Sequence, residues 1–276
     1  MHPVYSGAGR AAGLGSAERR ALSMLTAMER PLVTASDLMS VAGLDRQAAN
    51  LMLSRLSRKG WLRRVRRGAY ETVPLSSSPT HATTADPVAM AMELFSPCFI
   101  SGWTAAQHWD LTEQIFNSIA VYSAKPQRRS EQQISGIHYR IRRVTEDAIF
   151  GTTNIWSGTV AVKMATLHRT IIDVLDAPEM GGGGRQTLDI VRSYWSRSDR
   201  SPNELLGLAT RLGRGSVFKR LGFTAELFGK PERSWIDECR SHLTTGIALL
   251  DPGSPPHGPI VSRWRLRINI PIDDAP

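Results

Sequence analysis

Cysteine is nearly absent from this chain of 276 residues: Cys98 and Cys239 are the only two. They provide neither a disulfide framework nor a Cys-x-x-Cys metal clip, which fits a reducing cytoplasm. Long apolar runs are missing as well. No stretch approaches the roughly 18 residues a membrane helix needs, and Glu93 interrupts the best candidate, so no membrane partner is expected. Residues 1–15 are rich in Gly and Ala and lack the apolar segment of a signal peptide; they read as a disordered leader. There is no internal repeat and no long low-complexity tract.

The signatures of chemistry are absent too. Four consecutive glycines at residues 181–184 could cradle a phosphate, but Arg185, Gln186 and Thr187 stand where a P-loop needs its Gly-Lys-Ser/Thr ending. A flexible turn between helices is expected there. His108 and Asp110 lie near Trp103 and Trp109, yet no Ser or Cys nucleophile sits in a recognisable turn beside them; Phe99 and the two tryptophans read as core. His168, Asp173, Asp176 and Glu179 could be imagined as metal ligands. The five-residue step from 168 to 173 swings the histidine off the shared helical face, and an Arg169–Asp173 pairing within the helix is expected instead. No catalytic residue, metal or cofactor is expected, and the chain does not read as an enzyme.

What the chain has is positive charge, unevenly placed. The net charge is +9, and residues 1–80 carry 12 Arg or Lys against 5 Asp or Glu. Between residues 46 and 70 stand Arg46, Arg55, Arg58, Lys59, Arg63, Arg64, Arg66 and Arg67 with no carboxylate among them. A polyanion is the natural partner of such a run, because each neutralised phosphate releases condensed counterions. A solvated basic face is the plain alternative, and the hydrophobic pattern decides between them.

That pattern predicts a winged helix-turn-helix over residues 16–74. Ser16 can cap a first helix carrying Leu22, Leu25 and Met28. Thr34 with Asp37 forms a capping-box start for a short second helix that ends at Gly43. Asp45 caps a third helix running to about Lys59. At about 100° per residue, Ala49, Met52, Leu53 and Leu56 fall on a buried arc of that helix, while Gln47, Asn50, Ser54 and Arg58 oppose them, flanked by Arg46 and Arg55. Gln and Asn suit adenine edges in a major groove, and Arg suits guanine. Residues 61–73 then read as two β-prone stretches around a turn near Arg67 and Gly68, a two-stranded wing that Trp61 and Tyr70 pin to the helices. Its arginines, Arg63, Arg64, Arg66 and Arg67, are placed to reach phosphates.

Residues 75–86, rich in Ser, Thr and Pro, read as a linker, and residues 87–276 as a mixed α+β domain. Within it we expect helices near residues 87–95 and 104–109, strands near 99, 118–122, 137–144 and 158–163, and a helix through Leu167, Ile171, Ile172 and Leu175. Ser201, Pro202 and Glu204 open a further helix to Leu212. Helices then run from Val217 to about Leu243, before β-prone stretches at 246–250 and 261–270. Ile137, Tyr139 and Ile141 alternate with His138, Arg140 and Arg142, giving one strand a basic face that is either solvated or available to phosphates or an acidic partner.

The winged-helix pattern, residues 101–114 with Trp103 and Trp109, residues 166–182 and the run 250–258 together resemble the AbiEi antitoxins. The resemblance spans most of residues 16–270. It implies a winged-helix domain that binds inverted repeats in double-stranded promoter DNA and represses its own operon. It also implies a C-terminal domain that counteracts a nucleotidyltransferase-like toxin, AbiEii. His168 departs from the family pattern, which has an acidic residue before the Arg169–Thr170 pair. Two other readings remain open: a ligand-sensing winged-helix regulator without a toxin partner, and a nuclease that uses the winged helix only for targeting.

Overall fold

A computed structural model describes residues 13–73 and 86–272. Twelve of the expected leader residues, and all of the expected linker but Asp86, lie outside the described residues. The chain is mixed α+β and divides into two compact units. One comprises residues 1–94 with 133–137 and 156–161; the other comprises residues 95–132, 138–155 and 162–276.

The first unit begins with α1 (Ser16–Ala27), preceded by Gly15, whose amide donates to the Glu18 carboxylate at 2.8 Å. Ser16 is therefore the first helical residue rather than the cap. β1 (Val33–Thr34) leads directly into α2 (Ala35–Ala42). Thr34 caps α2 as its sequence requires: its amide and hydroxyl both donate to Asp37 Oδ2 at 2.7 Å, and the Asp37 amide returns to Thr34 Oγ1. Gly43 closes α2 in the left-handed conformation. Asp45 Oδ1 accepts from the Ala48 amide at 2.7 Å and opens α3 (Arg46–Arg58). Ala49, Leu53 and Leu56 of α3 pack into one apolar cluster with Ala21 and Leu25 of α1 and Leu38 of α2.

The wing follows as β2 (Leu62–Arg66) and β3 (Ala69–Thr72), antiparallel, with Leu62 opposite Thr72 and a bulge between Arg64 and Arg66. Trp61 and Tyr70 pack against the helical cluster, which anchors the hairpin. The wing has a third strand the sequence reading lacks. β1 pairs with β3 through Val33–Tyr70 and Thr34–Ala69, giving the order β1-β3-β2. Two residues are too few to show a period of two, so pattern could not find it.

Helix α4 (Pro87–Phe95) is opened by Asp86 Oδ1, which accepts from the Val88 and Ala89 amides. Residues 87–94 cluster with the winged helix, whereas the sequence places residue 87 at the start of the second domain. Two arginines bind α4 to the elements before it. Arg30 grips the Glu93 carboxylate with both oxygens at 2.8 and 2.9 Å and also pairs with Asp37. Arg66 donates to the carbonyls of Leu94 at 3.0 Å and Glu93 at 3.5 Å, in the last turn of the helix, where the backbone carries partial negative charge.

A mixed sheet comprises β4 (Cys98–Ile100), β5 (Ser118–Ser123), β6 (Glu131–Ile134), β7 (Ile137–Arg143), β8 (Thr152–Ser157) and β9 (Val160–Ala165), in the order β6-β7-β5-β4-β9-β8; most of its residues belong to the second unit, and residues 133–137 and 156–161 to the first. β4 runs antiparallel to β5 and parallel to β9, and β5 runs parallel to β7. Helices α5 (Gly102–His108), α6 (Leu167–Asp176), α7 (Gly184–Ser196), α8 (Pro202–Leu212), α9 (Gly215–Thr224) and α10 (Arg233–Ser241) contribute to one large apolar core. A small sheet of β10 (Ala248–Leu249), β11 (Ile260–Val261) and β12 (Leu266–Arg267) completes the second unit in the order β10-β12-β11.

Within that core Trp264 is fully buried, and its indole N–H donates to Glu226 at 2.6 Å. Gly222 makes room for the ring: a Cβ there would lie 2.0 Å from the indole. Gly222→Ala should therefore cost about 1–3 kcal/mol in urea unfolding through overpacking, despite the better helix propensity of alanine. A variant as stable as the parent would show that the ring can shift. The glycine run behaves differently from the flexible turn its composition suggests. Gly181 and Gly184 are buried, the Gly184 amide donates to Asp251 at 3.1 Å, and a Cβ at Gly184 would meet Asp251 at 2.5 Å.

Candidate nucleic-acid interface

The site is assembled from α3 and the wing of the first unit. Arg46, Gln47, Asn50, Arg55 and Arg58 are exposed along α3, and Ser54 is partly so. On the wing, Arg64, Arg66 and Arg67 are exposed and Arg63 is partly covered. The helix thus presents its polar stripe outward because Leu53, Leu56 and Ala49 are completely withdrawn from solvent on the other side. Leu51 also stands on the outward stripe and is 50% exposed. A sorting of the helix by polarity passes over it; a helical wheel alone would have placed it beside Gln47.

The basic side chains fall into two groups. Arg46, Arg55, Arg58, Arg64 and Arg67 have no side-chain hydrogen bond or ion pair among the described residues. Lys59, Arg63 and Arg66 are held within the unit. Lys59 Nζ donates to Glu18 at 2.5 Å and to the Gly13 carbonyl at 3.1 Å. The Lys59 ammonium is the main reason that the Glu18 carboxyl lies below its ordinary range, with the Gly15 amide adding to it. Arg63 pairs through its Nε at 3.1 Å, and through Nη2, with the buried carboxylate of Glu71 directly across the hairpin. Arg66 is docked on the carbonyls of α4 as described above. The reading from sequence treats all four wing arginines as equivalent, because the partners of Arg63 and Arg66 lie 8 and 28 residues away.

The basic strand face of the second unit is neutralised at home. Arg142 pairs with Asp176 and Glu179, each at 2.8 Å, and Arg140 pairs with Glu131 at 3.1 Å. Asp176 is also held by Arg214. His138 is exposed. The Arg169–Asp173 pair forms at i,i+4 as the spacing requires, but both groups are 1% exposed rather than solvated. His168 meets Glu204 through Nδ1 at 3.2 Å. Among the described residues no group of three or more His, Cys, Asp or Glu side chains is placed to hold a metal ion. None of their helices is long and apolar enough to cross a membrane.

No curated protein matches the chain. The geometry of the first unit, three helices with the third turned outward and an arginine-tipped wing, coincides with the span that does find a match. Residues 20–73 match the family model of the AbiEi antitoxins, a family of transcriptional regulators.

Proposed function

We propose that this protein is a DNA-binding antitoxin that represses its own operon. In this reading α3 enters the major groove, with Gln47 and Asn50 facing adenine edges and Arg46, Arg55 and Arg58 available to guanines or phosphates. Arg64 and Arg67 clamp phosphates from the wing tip. The observation that carries the reading is the outward stripe of α3, whose amide and guanidinium groups are exposed and lack partners among the described residues. An ordinary surface helix would more often pair its cations with Glu or Asp at i,i+4. Repression is steric: two protomers occupy inverted half-sites one or two helical turns apart and exclude polymerase.

The test is binding to the duplex upstream of its own gene, measured against random duplex at fixed salt. Asn50→Ala should weaken the cognate site by about 1–3 kcal/mol and leave random DNA unchanged. Equal weakening on both would mean that Asn50 does not face bases. We assign to the second unit the task of counteracting a nucleotidyltransferase-like toxin, supported by the antitoxin character of the matched family. Full-length Arg64→Ala/Arg67→Ala, expressed from a foreign promoter beside the neighbouring toxin gene, should still rescue growth. Loss of rescue would tie neutralisation to DNA binding and overturn the division of labour.

A further inference from the structure

Leu51 is the one feature of the α3 stripe that neither charge nor hydrogen bonding explains. It is 50% exposed and belongs to no part of the unit's apolar core, which takes Leu53 and Leu56 from the opposite side. At about 100° per residue, Leu51 stands roughly 40° from Gln47 and roughly 20° from Arg58, in the middle of the outward face. A single exposed leucine is unremarkable on a protein surface. This one is set among Gln47, Ser54, Arg55 and Arg58, side chains that would all be reaching into or across a groove. Arg55 and Arg58 flank the leucine, are exposed and have no ion pair among the described residues, so the charge around it calls for an anionic partner. A polyanion that carries an apolar group at the floor of its groove fits well. Duplex DNA offers one such group, the C5 methyl of thymine.

We propose that Leu51 reads a thymine methyl in the major groove and so fixes one position of the recognition sequence. This rests on the DNA-binding reading above and deepens it. Gln47 and Asn50 distinguish bases by donor and acceptor pattern, whereas Leu51 distinguishes thymine from the other three bases by apolar contact. The contact removes the methyl and the leucine tip from water together, a gain on the order of 0.8 kcal/mol per methyl-sized group, or roughly fourfold in affinity.

Deoxyuridine isolates that contribution, because it pairs like thymidine and lacks only the methyl. Duplexes enriched from a random-sequence pool by the full chain would be resynthesised with each thymine replaced singly by uracil, and dissociation constants taken by fluorescence anisotropy at one salt concentration. The wild type should lose roughly fourfold affinity at one thymine of each half-site. Leu51→Ala, at an exposed position and expected to fold, should bind the thymine and uracil duplexes alike at that position. The inference is overturned if no thymine is methyl-sensitive, or if Leu51→Ala keeps the same sensitivity as the wild type. Failure to enrich any sequence at all is a different result, and it would remove the DNA-reading role itself along with this contact.

Discussion

A chain carrying Arg169→Met should lose about 3–5 kcal/mol of stability in its second unit, measured as a lowered urea midpoint. Arg169 is buried with its donors directed at three acceptors. Nε meets Asp173 at 2.8 Å, Nη1 the Phe150 carbonyl at 3.1 Å, and Nη2 the Ala148 carbonyl at 3.2 Å. Its guanidinium carbon lies 4.1 Å from the centre of the Phe150 ring. Removing it strands the Asp173 carboxylate in the interior, where among the described residues the Ser101 hydroxyl, 2.7 Å away, is its one remaining side-chain partner. Burial pushes the Asp173 carboxyl above its ordinary range, against the pull of Arg169 and Ser101. The pair is thus costly to bury and costlier to break. Arg169→Met/Asp173→Leu should therefore be less destabilised than Arg169→Met alone, because it leaves two carbonyls and the Ser101 hydroxyl without their partners but no lone charge. A double variant worse than the single would show that the loss comes from packing, not from the stranded ion.

The same residue shows where sequence stops being informative. The i,i+4 spacing of Arg169 and Asp173 is visible in the chain, but the carbonyls of Ala148 and Phe150 reach the guanidinium from a segment that carries no matching signal. Local rules read well. Thr34 with Asp37, the left-handed Gly43, Asp45 before α3 and Ser201 before α8 each act within a few residues, and each forms its cap in the structure. The amphipathic arc of α3 reads for the same reason. Strands β6 and β8 escaped because their burial alternates between partial and full exposure, so neither face is apolar enough to mark a period. The candidate interface is legible as a set of residue types and illegible as a set of free ones. Charge counting gives eight cations, while the carboxylates and carbonyls that occupy Lys59, Arg63 and Arg66 become neighbours only after folding. Leu51 belongs to neither set in the sequence reading, which opposes a buried apolar arc to a polar face and leaves an outward apolar residue unassigned.

That division of the wing arginines sets the second large expected effect. Arg64→Ala/Arg67→Ala should flatten the slope of log K against log salt by up to about two units, on cognate and random duplex alike, since each lost phosphate contact removes roughly 0.9. Between about 50 and 200 mM salt the wild type should then lose roughly tenfold more affinity than the variant. Arg66 is also exposed and carries the same charge, so a counting argument assigns it the same slope. Its guanidinium is instead spent on the carbonyls of Leu94 and Glu93. Arg66→Ala should leave the slope near that of the wild type and lower the stability of the first unit by about 0.5–1.5 kcal/mol, the worth of an intramolecular hydrogen bond. Measured side by side, the two variants separate charge from position. If Arg66→Ala flattened the slope as much as Arg67→Ala did, Arg66 would leave the carbonyls of α4 for a phosphate on binding, and the wing would clamp the duplex with three arginines instead of two.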